Sequence, residues 1–293
     1  MADKDIAEKI LQDYNDVFAD IVNALLFKGK QIVKPESLVN ASVKSSYKAE
    51  NGRLHELERD VVKYWKDGGV SIALLGLENQ SVVDYDMALR VMAYDAAGYR
   101  EQILKTPYLP KESLRNPVIT LVLYTGTKAW DYSKHLVDRL NIIKPLKKYV
   151  SDYTINVFEI ASMTETDLEL FHNDYKVFVD YFMQAKRGVE YAPISYNIKH
   201  VDATLKLMSV VDKNENFLYS INECKGKEVV NMRSVLAIKE ARSYEKGRAE
   251  ERDSFATDMI KDGEPANKIM KYTKLSMERL EEIAKSLNIT LVL

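Results

Sequence analysis

The run Ser71–Asp95, SIALLGLENQSVVDYDMALRVMAYD, constrains the fold of this chain more than any other stretch. It opens with Ile72-Ala73-Leu74-Leu75, an apolar run of buried-strand length, and passes straight into Glu78-Asn79-Gln80. A carboxylate at the end of a buried strand is costly unless something pairs with it. After Ser81 the period changes to three- and four-residue steps, with Met87, Val91, Tyr94 and Gly98 on one face. That spacing predicts an amphipathic helix begun by Asp84 or Asp86. Upstream, Val61-Val62-Lys63-Tyr64-Trp65 reads as a second strand with Asp60 at its start. Side chains alternate across a strand, so Glu78 and Gln80 share a face while Asn79 points away. A hairpin around Lys66-Asp67-Gly68-Gly69 would bring Asp60 toward Glu78. Hard oxygen ligands in such a place suit Mg2+ or Mn2+ rather than zinc. The bland account of the same residues is a surface ion-pair cluster of the two acids with Arg59, Lys63 or Arg90.

The rest of the chain surrounds this pair with alternating strands and helices. Residues 6–27 have helical period, with a break at Tyr14-Asn15-Asp16 and an end at Gly29-Lys30. A first strand is expected between Leu38 and Tyr47, and a turn from Lys48 to His55. Val118–Tyr124 and Ile155–Ile160 read as further strands, and helices follow from Thr164. Mixed order of this kind predicts an α/β core over residues 1–190. From about Ala192 strand signal fades, so residues 191–293 are expected to form a helical extension. Within it, Ile269–Tyr272 and Met277–Leu287 read as two short helices, the second capped by Ser276. They form a candidate helix-turn-helix, for which packing or a partner contact is favoured over DNA reading.

The stretches Arg59-Asp60, LLGLENQ, DYDMALRVMAYDAAGYREQ and PVITLVLYTGTKAW together resemble the recombination-promoting nuclease and putative transposase family. That family belongs to the PD-(D/E)XK nuclease superfamily, and the resemblance runs from about Tyr14 to Gly247. It implies a mixed sheet flanked by helices, a DNA substrate and phosphodiester hydrolysis supported by Mg2+ or Mn2+. It implies Asp60 and Glu78 as metal ligands, with Gln80 completing the catalytic set. The superfamily usually has Lys where Gln80 stands. An amide can orient water but cannot act as a cation or base. The helix before the first core strand often supplies a further acid, and Asp20 in FADIVNALLF is the residue carried over; its plain alternative is a capping or surface role. Lys63 and Arg90 are candidates for the DNA backbone, and both could instead pair with the acids.

The 42 basic residues nearly offset 44 acidic ones, which argues against generic nucleic-acid binding but not against a local basic groove. Cys224 is the single cysteine, so no internal disulfide forms. The charged N-terminus lacks an apolar signal core, and no apolar run has membrane-span length. A cytoplasmic location and no membrane partner are therefore expected. The four histidines lie at no metal-ligand spacing, and neither a P-loop nor a Gly-x-Ser-x-Gly elbow is present. Two functions remain. One is a metal-dependent DNA endonuclease linked to recombination or mobile elements. The other is a nuclease-fold protein with little cleavage, serving as a DNA-binding or protein-interaction module. A homo-oligomer is compatible with either.

Overall fold

The computed structural model describes residues 2–41, 44–48, 54–58, 60–111, 113–212, 216–224 and 227–292. Two helices lead, α1 (Ala2–Gln12) and α2 (Asn15–Phe27), followed by β1 (Leu38–Asn40), β2 (Lys44–Lys48) and β3 (Leu54–Glu58). The centre is β4 (Val61–Asp67), β5 (Val70–Gln80), α3 (Met87–Lys105), β6 (Val118–Tyr124) and β7 (Asn156–Glu159). Helices α4 (Glu165–Leu168) and α5 (Tyr175–Arg187) come next. Then follow β8 (Asn197–Ile198), α6 (Val201–Val211), α7 (Asn216–Cys224) and β9 (Val230–Asn231). The chain continues through α8 (Met232–Lys261), α9 (Ala266–Thr273) and α10 (Met277–Leu287). The break expected near Tyr14 separates α1 from α2. The turn expected between Lys48 and His55 falls mostly on residues 49–53, outside the described residues.

A mixed five-stranded sheet runs in the order β1-β4-β5-β6-β7. The β4–β5 hairpin turns at Gly68 and Gly69, both at positive φ (54° and 86°), as a two-residue type I′ loop requires. From β5 the chain crosses over through α3 to β6, which lies parallel to β5, and β7 lies parallel to β6. Alternation along these strands builds two apolar layers. Leu75, Leu77, Leu121 and Leu123 pack with Phe18, Ile21 and Val22 of α2 and Tyr175 and Phe178 of α5. On the opposite face, Val122 and Tyr124 pack with Met87 and Val91 of α3 and with Trp130. Helix α3 seats closely because Gly98 has no side chain. A Cβ there would lie 2.9 Å from Leu74 Cδ2 and 3.1 Å from a Val118 methyl.

Cα packing divides the chain between Arg233 and Ser234. Residues 191–233 fall in the first unit, where Ala203 and Leu207 of α6 belong to the main core. The strand-poor segment after 190 is thus split between the two units. The second unit has its own core, formed by Ala256 and Ile260 of α8, Ile269 of α9 and Leu280, Ile283 and Ala284 of α10. Ser276 caps α10 by accepting from the Arg279 N–H at 3.3 Å. The Arg279 guanidinium is engaged by Asp253 at 2.7 Å and Glu282 at 2.5 Å. This helix pair therefore closes a small bundle onto α8, and its most prominent cation is spent within that bundle.

Candidate functional site

The β4–β5 register decides where the acids go. Val61 pairs with Leu77, so Asp60, one residue earlier, stands across from Glu78, one residue later. The Asn79 N–H donates to Asp60 Oδ2 at 2.7 Å, which fixes that carboxylate against the end of β5. Asn79 itself turns to the α1 side, where its amide forms a reciprocal pair with Gln12 (2.7 and 2.9 Å). Glu78 and Gln80 face the α3 side. Arg90 of α3 donates to Glu78 Oε1 at 2.5 Å and to Asp84 Oδ2 at 2.7 Å.

Glu78 is buried, and its Oε2 has no hydrogen-bond partner. Burial, reinforced by the neighbouring Asp60 charge, pushes its carboxyl up to about 7, against the pull of Arg90 and the Gln80 amide. Helix α1 brings a third acid that the sequence reading did not single out. Glu8 is fully buried with neither carboxylate oxygen hydrogen-bonded, although the Lys4 ammonium lies 3.4 Å from Oε1. Burial raises Glu8 to about 7 against the pull of Lys4, and the Asp60 charge adds to the rise. Lys9, also on α1, reaches Asp60 Oδ1 at 3.0 Å. Three acids from α1, β5 and the start of β4 thus act on one another through Asp60.

Of the other sequence candidates, Asp20 and Lys63 lie elsewhere. Asp20 accepts three backbone bonds at 2.9 Å from the N–H groups of His172 and Asn173, so it pins the segment entering α5. Lys63 is fully buried. Its ammonium donates to Asp13 O (2.8 Å), Asp13 Oδ1 (3.0 Å) and Asn40 Oδ1 (2.5 Å). All three protons are therefore used inside the fold, and none is offered to a phosphate. Arg90 is part-exposed beside Glu78. Arg59 lies outside the described residues.

The donor set partly fits a hard divalent ion. Asp60 and Glu78 face each other, and buried carboxylate oxygens without partners favour a cation. Among the described residues, however, no three His, Cys, Asp or Glu side chains stand close enough together to hold one. Two carboxylates, Asp60 and Glu78, are the residues that would hold such an ion.

Residues 66–215, just over half of the chain, match the family described as "Putative transposase, YhgA-like". The chain belongs to this family. It is the recombination-promoting nuclease and putative transposase family of the PD-(D/E)XK type, and the mixed sheet with flanking helices agrees with it. The matched segment contains Glu78 and Gln80 and begins after Asp60. No curated protein and no solved structure gives a significant match. Among the described residues no helix is long and apolar enough to cross a membrane.

Proposed function

We propose that the protein is a Mg2+- or Mn2+-dependent DNA endonuclease in which Asp60 and Glu78 hold the ion. The observation that carries this reading is the pairing of the two acids across the β4–β5 end, with Glu78 Oε2 buried and unpartnered. A divalent ion bound there would neutralise phosphate charge and lower the pKa of a coordinated water. The chain's own residues do the rest. The Asn79 N–H orients Asp60, and the Gln12–Asn79 amide pair clamps α1 to β5, which keeps Glu8 beside Asp60. Gln80, on the Glu78 face, orients water through its amide. Arg90 holds Glu78 Oε1 and leaves Oε2 open. In the hydrolysis, a water oxygen bonds to phosphorus as one P–O ester bond breaks. The water's proton is lost to a base, the departing oxygen is protonated, and the products are a phosphate monoester and an alcohol. Family membership supports DNA as the substrate and links the activity to recombination or mobile elements.

Plasmid nicking tests this reading. Wild-type protein should nick with Mg2+ or Mn2+ and stop on chelation. Asp60→Ala and Glu78→Ala should each abolish nicking while circular dichroism stays unchanged. Gln80→Ala should be milder, because an amide that orients water contributes less than a carboxylate ligand. Activity that survives both carboxylate substitutions would overturn the assignment. Wild-type protein inert with either metal would favour the non-cleaving module, a reading that Gln80 and the two-carboxylate donor set also support.

A further inference from the structure

We propose that the cavity at the C-terminal end of α3 is a second contact for the DNA backbone, in which Lys66, Lys105 and Arg115 hold a phosphate about 20 Å from the Asp60–Glu78 end. This inference rests on the reading above that DNA is the substrate, but not on its cleavage.

The cavity has a volume of about 320 Å³ and lies where β4 ends, β5 begins and α3 runs out. Lys66, Lys105 and Arg115 line it together with Tyr64, Ser71 and Asn116, and none of its lining residues is acidic. Other described grooves of this unit include carboxylates: Asp13 and Asp60 in the one beside α1, Glu159 and Asp167 in one beside α2. A concave surface lined by one sign of charge focuses its field and concentrates the opposite charge, here phosphate. Its wall is firmly built. Arg115 donates to the carbonyls of Gln102 and Thr106 at 2.7 Å each, a favourable place for a cation at a helix C-terminus. Gln102 locks the same segment, donating to Asn116 O at 3.0 Å and accepting from the Asn116 N–H at 2.9 Å. Lys105 has an exposed side chain that pairs with Glu101 at 2.6 Å on its own helix and reaches the Tyr64 hydroxyl at 3.3 Å. An exposed pair of this kind is weak, so a phosphate competes with Glu101 for the ammonium. The Tyr64 ring carries that ammonium 5.2 Å from its centroid. The cavity thus meets a ligand with charge rather than with a ring face for a base.

The cavity and Glu78 share the α3 side of the sheet and stand at opposite ends of it. Tyr64 packs with Leu74 and Val118, the residues against which Gly98 of α3 seats. From Asp60 along β4 to Lys66 is about 20 Å at roughly 3.3 Å per residue. From Arg90 along α3 to Lys105 is about 22 Å at roughly 1.5 Å per residue. A DNA strand advances about 3.4 Å per nucleotide, so a phosphate in the cavity lies about six nucleotides from one at the acid pair. Lys66 and Lys105 are therefore positioning residues: they remain protonated, touch no reacting bond and act on the backbone by charge alone.

Lys66→Met/Lys105→Met keeps both aliphatic stems and removes both charges; Arg115 stays, because it holds the end of α3. Binding of the full chain to a fluorescent duplex, read by anisotropy in chelator, should weaken by about tenfold, the scale of one charge-assisted bond. The slope of log affinity against log salt should become shallower by about 1 to 2. The melting temperature should not move, and in plasmid nicking KM should rise while kcat stays. Lys147→Met/Lys148→Met, which removes the same charge from exposed positions of the same unit, should leave DNA affinity near wild type. Unchanged affinity in the cavity variant overturns the inference, and so does an equal loss in the Lys147/Lys148 variant, which would assign the effect to net charge. Displacement of the duplex by a free deoxynucleoside monophosphate at equal nucleotide concentration would overturn DNA as the occupant. Wild-type protein that binds DNA through the cavity but cleaves with neither metal leaves this inference standing and overturns the nuclease reading. Cleavage by a cavity variant of undiminished affinity does the reverse.

Discussion

Replacing Glu78 by glutamine should make the ion-free protein more stable at neutral and alkaline pH while removing its proposed metal site. Glutamine has the shape of protonated Glu78 but cannot ionise. In the folded protein burial and the Asp60 charge raise the Glu78 carboxyl from an ordinary 4.5 to about 7. The native state therefore binds more protons than the unfolded chain between those values. This contribution to stability is fully present below 4.5 and is lost as pH rises through about 7. At 1.36 kcal/mol per pH unit the loss amounts to about 3 kcal/mol. Arg90 keeps the glutamine Oε1 as a neutral acceptor and keeps Asp84 at 2.7 Å. For a unit of this size the gain corresponds to roughly 5–10 °C in melting temperature. Scanning calorimetry in chelator at pH 8 and near pH 4.5 measures it. Glu78→Gln should melt higher than wild type at pH 8, and the gap should close toward pH 4.5. A variant that melts lower at pH 8 would show that ionised Glu78 stabilises the fold, and an equal difference at both pH values would show that Glu78 titration is not the cause.

Lys63→Met should cost about 1–3 kcal/mol, because the buried Lys63 ammonium loses its bonds to the solvent-accessible Asp13 and to Asn40; denaturant unfolding measures the loss, and DNA affinity of the folded fraction should not change. Asp20→Ala should cost about 1–3 kcal/mol by leaving the His172 and Asn173 N–H groups unpaired, without altering Mn2+ affinity; a large loss of affinity would return Asp20 to the site. A chain ending at 233 should fold and retain metal-dependent cleavage. One ending at 190 should not, since it removes Ala203 and Leu207 from the main core; folding of the shorter chain would place the boundary where the fading strand signal does.

Much of the fold was legible because strand alternation and helical period leave strong marks. The run ending in Glu78-Asn79-Gln80 announced both β5 and the split of its side chains between two faces, and the Gly68-Gly69 turn made the hairpin readable. With the hairpin came the approach of Asp60 to Glu78. Helix α1 was harder, since its buried face is mixed. Ala7 and Leu11 join the core, but Ile6 and Ile10 are exposed while Glu8 and Gln12 are buried. The signal was the polar series Lys4, Glu8 and Gln12 at four-residue steps, one continuous face of a helix. A search for an apolar stripe passes over it. A polar stripe facing inward is the kind of local rule broken at functional sites. Asp20 and Lys63 could not be placed from sequence for a different reason. The partners that hold them, at His172 and Asn173 and at Asp13 and Asn40, are set by tertiary contact rather than by local spacing.

Anomalous diffraction from a crystal soaked in Mn2+ would show directly whether one divalent ion binds between Asp60 and Glu78. A single strong peak is expected at about 2.0–2.3 Å from an oxygen of each carboxylate, a hard-cation distance, with Glu78 Oε2 among the ligands. The same soak of Glu78→Gln should show no peak there. A wild-type crystal with no peak between the two acids, or with manganese bound only elsewhere, would rule out a metal site at Asp60 and Glu78.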